Sequence, residues 1–395
     1  MATERNHAIV FGAAGLLGWS VVNQLLSNYP SAGSFSQVTA VVNRPVSEPD
    51  LRLPEASPER PGFQVVSGVS LLQGTGDDLA RQLKDKVPGA EKITHVFYFA
   101  FSALSDDHIR ECQMNCEMVQ RVADALNVVS LALKSFVYSG GTRGYGIYVP
   151  GGTFKAPLQE SLADRLPEDS ARNCAYPLFR RILTKASHGR DWAWTEVCPD
   201  AVVGFSPNGS GFSLGALVSG RIPWLYCAQW RAREKKVEVQ FPGCEEALDS
   251  KFTPVSGRML GRISIHAALI PDTCGSKVVN TADDEHATTF RHVWPAIASW
   301  FGLLGVGPSN DASALKPGEY VARYKHVFEE KGRHRAVTCG VGAGSAQLDG
   351  VGWWLTFDRQ LSLDRLRALG FRERRDPVEG WLEALELFRD AGIIL

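Results

Sequence analysis

The sequence predicts an α/β protein, a doubly wound parallel sheet with a smaller C-terminal lid. Three observations support this. The chain opens with a short apolar run that ends in three evenly spaced glycines, His7-Ala-Ile-Val-Phe-Gly-Ala-Ala-Gly-Leu-Leu-Gly18. Its first half then alternates short apolar runs with helical patterns, as strands paired in parallel through crossover helices do. After about Pro199 this alternation loosens, and stretches rich in Gly, Ser and Trp take over.

The apolar runs place strands at 8–11, 37–42, 63–66, 95–99, 135–138 and 193–197. Helices are expected at 15–26, 77–84, 106–128 and 177–188, with an amphipathic helix at 289–303. The last segment, 362–395, reads as two helices split by Gly370-Phe371 and Asp376-Pro377. Residues 1–200 are read as the nucleotide-binding core, and 201–395 as a lid with segments returning to it. Two irregular Gly-rich stretches, 205–215 and 338–352, belong to the lid.

The glycines point to chemistry. Gly12 permits a tight strand-to-helix turn, Gly15 lets backbone N–H groups approach phosphates, and Gly18 lets helix pack on strand. Ala14 and Leu16 complete the turn. A dinucleotide therefore fits here on a Rossmann-type sheet; the bland alternative is an ordinary tight βα turn. After the second strand comes Val42-Asn43-Arg44-Pro45, where such a site meets the adenosine ribose. An acidic residue there would accept from the 2′-hydroxyl of NAD. Asn43 and Arg44 suit a 2′-phosphate instead, so NADPH is the expected cofactor.

Tyr176 lies in Asn173-Cys174-Ala175-Tyr176-Pro177, at the entrance of a helical pattern. A phenol there can act as an acid toward a substrate carbonyl. Its ordinary pKa is about 10, so a nearby cation is needed to bring it toward neutrality. Arg143, in Ser139-Gly-Gly-Thr-Arg143-Gly-Tyr145, follows an apolar strand and is the candidate for that cation.

Composition limits the alternatives. The 395 residues are 44% hydrophobic and 22% charged, with 42 basic against 43 acidic side chains. A formal charge of −1 offers no field for nucleic acid or an anionic membrane. No run reaches transmembrane length, and the polar start is not a signal peptide, which suggests the cytoplasm. The eight cysteines include no CxxC pair and read as small buried hydrophobes; Cys112 and Cys116 share a helical face. The nine histidines form no HxxxH or HExxH pattern, so no metal is expected.

Several segments together resemble one family, the progesterone 5β-reductase and iridoid synthase-like enone reductases, an atypical branch of the extended short-chain dehydrogenases. They run from Gly12–Gly18 through Asn43-Arg44-Pro45, Phe97-Tyr-Phe-Ala-Phe101, Asn115 and Val122-Ala-Asp-Ala-Leu126. They continue through Trp192-Ala-Trp194, Pro199-Asp-Ala-Val-Val-Gly-Phe-Ser-Pro207, Phe241-Pro-Gly243, Val279-Asn-Thr281, Trp294 and Gly370-Phe371. The resemblance implies reduction of an activated C=C bond in a hydrophobic small molecule of secondary metabolism. Hydride comes from NADPH, and a tyrosine hydroxyl holds the growing enolate charge. It implies Ala100, Phe101 and Val202 among the cofactor-lining residues. The tyrosine carries over to Tyr176, the lysine of a QTGxKHY-like motif falls on Arg143, and Tyr145 matches that motif's later tyrosine. A homodimer is compatible with it.

The departures are concentrated around the nicotinamide. Arg143 replaces the lysine, Ser139-Gly140-Gly141 replaces Gln-Thr-Gly, and Phe179-Arg180 stands where Glu-Asp follows the tyrosine. Cys198 replaces an Arg, and Gly68 falls where an Asp often lies near the adenine. Arginine does not release a proton near neutrality. It could polarise Tyr176 or grip a substrate carboxylate directly. A non-redox cyclase or isomerase using Tyr176 and Arg143 as carbonyl donors is the alternative activity, with Trp224, Trp230, Trp353 and Trp354 wrapping the substrate. A non-catalytic NADP sensor is the third reading.

Overall fold

Seven short runs, most of them apolar and buried on both faces, join in one parallel sheet, which is the condition under which parallel strands are stable. The computed structural model describes residues 6–104, 107–207, 238–309, 322–323, 325–332, 352–353 and 355–392. The strands β1 (Asn6–Phe11), β2 (Phe35–Val41), β3 (Gly62–Val66), β4 (His95–Tyr98), β5 (Ser135–Ser139) and β6 (Ala193–Pro199) follow one another. They alternate with α1 (Leu16–Leu26), α2 (Gly76–Lys86), α3 (His108–Val129), a short α4 (Glu168–Ala171) and α5 (Ala175–Ser187). All six expected strands and four expected helices of the core are present, with small shifts at their ends.

The second half adds β7 (Ala201–Val203), β8 (Glu238–Phe241), β9 (Pro254–Ser256), α6 (Gly257–Leu269), β10 (Lys277–Thr281), α7 (Phe290–Trp300), β11 (Leu304–Pro308) and α8 (Pro377–Asp390). The sheet runs β3-β2-β1-β4-β5-β6-β10, while β7 with β9 and β8 with β11 form two small parallel pairs. The seventh strand is absent from the sequence reading. β10 comes from the half assigned to the lid and pairs with β6 from Lys277 opposite Thr195 to Thr281 opposite Pro199. Its polar Asn280 obscures the strand pattern, because that side chain is satisfied only by distant groups. Its amide donates to the carbonyls of Leu158 (2.9 Å) and Ser362 (3.0 Å).

Helix α6 was missed too. Gly257 and Gly261 weaken its helical pattern but allow contact with α1, where a Cβ on Gly261 would lie 2.7 Å from the Ser20 carbonyl oxygen. The 289–303 pattern is α7, and the C-terminal split holds: Asp376 accepts from the Val378 amide (2.9 Å) and Pro377 occupies the first turn of α8. Beside the sheet, Phe205, Phe241, Phe252, Phe290, Trp294 and Trp381 build a separate buried cluster. Each large apolar side chain there contributes about 1.5–3 kcal/mol by leaving water. Trp353 is exposed; Trp224, Trp230, Trp354 and most of the two Gly-rich stretches lie outside the described residues. No helix among the described residues is long and apolar enough to cross a membrane.

Asp283, just after β10, ties these parts together. It accepts from the Ser256 amide (2.7 Å) and hydroxyl (2.8 Å) at the start of α6. Burial lifts its carboxyl to about 7, against those hydrogen bonds and the Arg375 charge. A raised folded pKa means stability that is full below pH 4 and declines as pH rises through 7. Asp283→Asn should flatten that decline, about 4 kcal/mol at most, in urea unfolding measured from pH 4 to 8.

Candidate active site

The candidate site lies where β1, β4 and β5 end, neighbouring strands at the centre of the sheet. Gly12 turns with φ +78°, and a Cβ there would sit 2.6 Å from the Phe99 carbonyl oxygen, so only glycine fits. A Cβ on Gly18 would meet the Gly12 oxygen at 2.3 Å. Gly15 precedes α1 with no side chain capping the helix, and its amide donates back to the Gly12 oxygen (2.9 Å). The amides of the first turn, including that of Leu16, are thus left for an anion. Ala14 is half-buried beside them, and its carbonyl accepts from the Ser206 hydroxyl (3.2 Å).

Asn43 and Arg44 are exposed beyond β2, and no ion pair engages Arg44 among the described residues. Ala100 is half-buried and Phe101 exposed at the end of β4, against the turn that holds Gly12. Asn115 of α3 holds this loop: its side-chain oxygen accepts from the Ser102 amide (2.9 Å), and its nitrogen donates to the Ser102 carbonyl (2.8 Å). Val202 corrects the expectation. It is buried in β7, paired with Val255, so its side chain packs into the core instead of lining the cleft.

Tyr176 is the second residue of α5, half-buried. Its hydroxyl lies beside the turn after β5, 3.5 Å from where a Gly141 Cβ would be. It has no hydrogen-bond partner among the described residues. Burial holds this phenol well above its usual pKa; the neighbouring Cys174 and Tyr148 push the same way and Arg143 opposes them. The expected cation is beside the phenol and pulls its pKa down, but burial outweighs it.

Arg143 is in turn paired with Glu111, a residue the sequence reading did not single out. It is buried on α3, accepts from Arg143 Nη1 at 2.5 Å and from the Leu104 amide at 2.8 Å. Arg143 Nη2 donates to the Asn173 carbonyl, three residues before Tyr176, and the guanidinium lies 5.5 Å from the Tyr148 ring centre. The cation is compensated and both its ends are in use, so it clamps the entrance to α5 to α3. Glu111 lies four residues before Asn115, on the same helical face, and that spacing was the available signal.

Tyr145 is a second correction. It is fully buried, and its hydroxyl donates to Asn280 Oδ1 at 2.6 Å, joining the turn to β10. Burial also holds its pKa well above the usual value, and its hydroxyl is committed to Asn280. Beneath the turn, Glu196 of β6 accepts from the Tyr138 hydroxyl (2.7 Å) and Arg180 (3.0 Å). That pair explains the arginine found where the resemblance has Glu-Asp: it anchors α5 to the sheet. Cys112 and Cys174 are buried and Cys116 partly so.

A parallel sheet in this order, a glycine turn after β1 and a tyrosine leading a helix beside the end of β5 define a Rossmann-type protein of the short-chain dehydrogenase kind. Within that class, the chain belongs to the family of the PRISE-like Rossmann-fold domain, which it matches over residues 8–395. The short chain dehydrogenase sirS of Leptosphaeria maculans is 31% identical over 416 residues, covering 98% of this chain and 97% of its own. The (S)-8-oxocitronellyl enol synthase CYC1 of Camptotheca acuminata is 26% identical over 391 residues, covering 92% and 94%. In fold the chain is similar to the GDP-mannoheptose C4 reductase MlghC of Campylobacter jejuni, solved with NADP bound, at TM-score 0.60 and 11% identity over 98% of this chain and 100% of that one. Gre2 of Candida albicans gives 0.59 at 13% identity over 98% and 99%.

Glu111→Gln removes the counter-charge of Arg143. Tyr176 should then ionise at lower pH, read by NMR of labelled tyrosine against a Tyr176→Phe control, and urea unfolding should show a loss of about 1–3 kcal/mol.

Proposed function

We propose that the protein is an NADPH-dependent reductase of an activated C=C bond in an uncharged, hydrophobic enone or enal. The observation behind this reading is Tyr176: a neutral phenol with a free hydroxyl, at the cleft where the strands end. The glycine turn fits a dinucleotide, since backbone at Gly12 leaves no room for a side chain and the first turn of α1 has no side-chain cap. Gly12, Ala14, Gly15, Leu16 and Gly18 would hold the pyrophosphate, Asn43 and Arg44 the ribose 2′-phosphate, and Ala100 and Phe101 the wall of the cleft. When bound, the reduced nicotinamide supplies hydride.

The residues of the chain do the rest. Tyr176 donates its O–H to the substrate carbonyl oxygen as negative charge grows there, which is worth most in a cleft shielded from water. Its raised pKa keeps the proton in place throughout the neutral range. Arg143 holds the Asn173 carbonyl and so the approach to Tyr176; paired with Glu111, it brings no net charge to attract a carboxylate. Phe101, Tyr148 and Val149 present apolar surface nearby, which favours a hydrophobic substrate.

The test is anaerobic incubation with NADPH and a panel of enones and enals, following loss of reduced-nicotinamide absorbance. Consumption of cofactor with the saturated ketone or aldehyde as product supports the reading. Turnover that persists without any nicotinamide would replace it with a cyclase or isomerase. In the reductase, Tyr176→Phe should lower kcat by about 10²–10³-fold and leave cofactor affinity unchanged. Arg44→Ala should lower the preference for NADPH over NADH by at least about 10-fold, measured as the ratio of kcat/KM values.

A further inference from the structure

Below the turn that carries Arg143 lies a buried ion pair that the reaction as described does not use. Asp200 follows β6, and Arg359 belongs to the C-terminal segment 355–361; both are essentially inaccessible to water. Arg359 Nε approaches Asp200 Oδ2 at 3.3 Å. The other carboxylate oxygen accepts from the Thr142 hydroxyl at 3.0 Å. Thr142 sits between Gly141, against which the Tyr176 hydroxyl lies, and Arg143.

Arg359 is itself held from several sides. Its amide donates to the Lys251 carbonyl (2.9 Å), its Nη1 to the Ser250 hydroxyl (3.4 Å), and its guanidinium lies 4.9 Å from the Phe252 ring centre. The same segment donates Leu361 N to Thr253 Oγ1 (3.0 Å) and accepts, at the Gln360 carbonyl, from Leu158 N (2.8 Å). It therefore docks between the lid and the core loop that follows the Tyr145 turn. A buried carboxylate such as Asp200 is costly without a cation, and burial pushes its pKa up while Arg359 pulls it back.

We propose that Arg359 is a positioning residue: through Asp200 and Thr142 it sets the turn beside Tyr176, so that docking of segment 355–361 and alignment of the donor hydroxyl are one event. This rests on the reading of Tyr176 as the donor. The chain reaching the site is 359 to 200 to 142, three residues far apart in sequence and joined only by polar contacts. An apolar trio would pack equally well; a charged one imposes direction on the hydroxyl of Thr142.

The experiment uses the full-length protein with tyrosine labelled at the ring carbon that bears the hydroxyl, the Tyr176 signal being assigned with Tyr176→Phe. Thr142→Val leaves the ion pair intact. It should stay folded, though less stable in urea because Asp200 Oδ1 loses its donor, yet shift the Tyr176 resonance and lower kcat on an enone about 10- to 100-fold with little change in KM. Thr142→Ser should restore both. Arg359→Met should move the resonance in the same direction, and the double variant no further than either single one. If Arg359→Met does not fold, Asp200→Asn/Arg359→Met removes both charges and replaces it. Folded variants with an unmoved Tyr176 resonance overturn the inference, even if the wild type reduces enones. A shifted resonance in a protein that reduces none of them overturns the proposed reaction and upholds the positioning role.

Discussion

The approach of the first turn to the end of β4 is the constraint on which the rest of the cleft depends. Backbone meets backbone there, with the Phe99 carbonyl occupying the space that a side chain on Gly12 would need. Neither side yields easily, because each directly follows a central strand and its amide is bonded to the neighbouring strand, Gly12 to the Val41 carbonyl and Phe99 to the Phe11 carbonyl. The contact fixes where α1 begins, and with it the direction of the unpaired amides. It also fixes where the loop of Ala100 and Phe101 leaves the sheet. Asn115 then holds that loop from α3, and Glu111, one turn earlier on the same helix, reaches the Arg143 clamp. Geometry at the glycines is thus passed along two elements to the tyrosine.

Charge compensation is the second theme. Arg143 alone would draw the phenol of Tyr176 toward ionisation. Glu111 pairs with that charge at close range, and burial outweighs the pull of Arg143 on the phenol. The result is a phenol held above its usual pKa, next to a cation that spends its hydrogen bonds on protein. The same logic recurs below the site, where Glu196 with Arg180 and Asp200 with Arg359 each bury opposite charges together. Buried pairs add little net stability, but removing one partner is costly, so they fix the relative placement of the elements that carry them.

Much of this was legible in the sequence, and the reasons differ between parts. The strands and helices up to residue 199 follow from periodicity, since a doubly wound sheet needs near-continuous apolar runs and amphipathic helices between them. Tyr176 was identifiable because Pro177 marks a helix start. Glu111 escaped notice because a lone glutamate on a helix reads as a solvated face; only the Arg143 partner, arriving from the turn after β5, explains its burial. Tyr145 was placed in the chemistry by its motif, but the motif does not say which way a ring points. Asn280 takes that ring into the core. β10 and α6 were hidden by a buried asparagine and two close-packing glycines, residues that weaken local signals and acquire their meaning from distant neighbours.

The sequence by itself determined the local events: where backbone must turn with a glycine, which runs must be buried, and which residues stand at helix entrances. These depend on interactions within a few residues, so spacing along the chain is enough to read them. Only the tertiary structure decided the charges and the directions. Whether Arg143 is a free cation or a clamp, whether a phenol is neutral and open or buried and bonded, and how segment 355–361 reaches the turn all depend on groups remote in sequence. Their energies are set by the water excluded when those groups meet, and no linear pattern records that meeting.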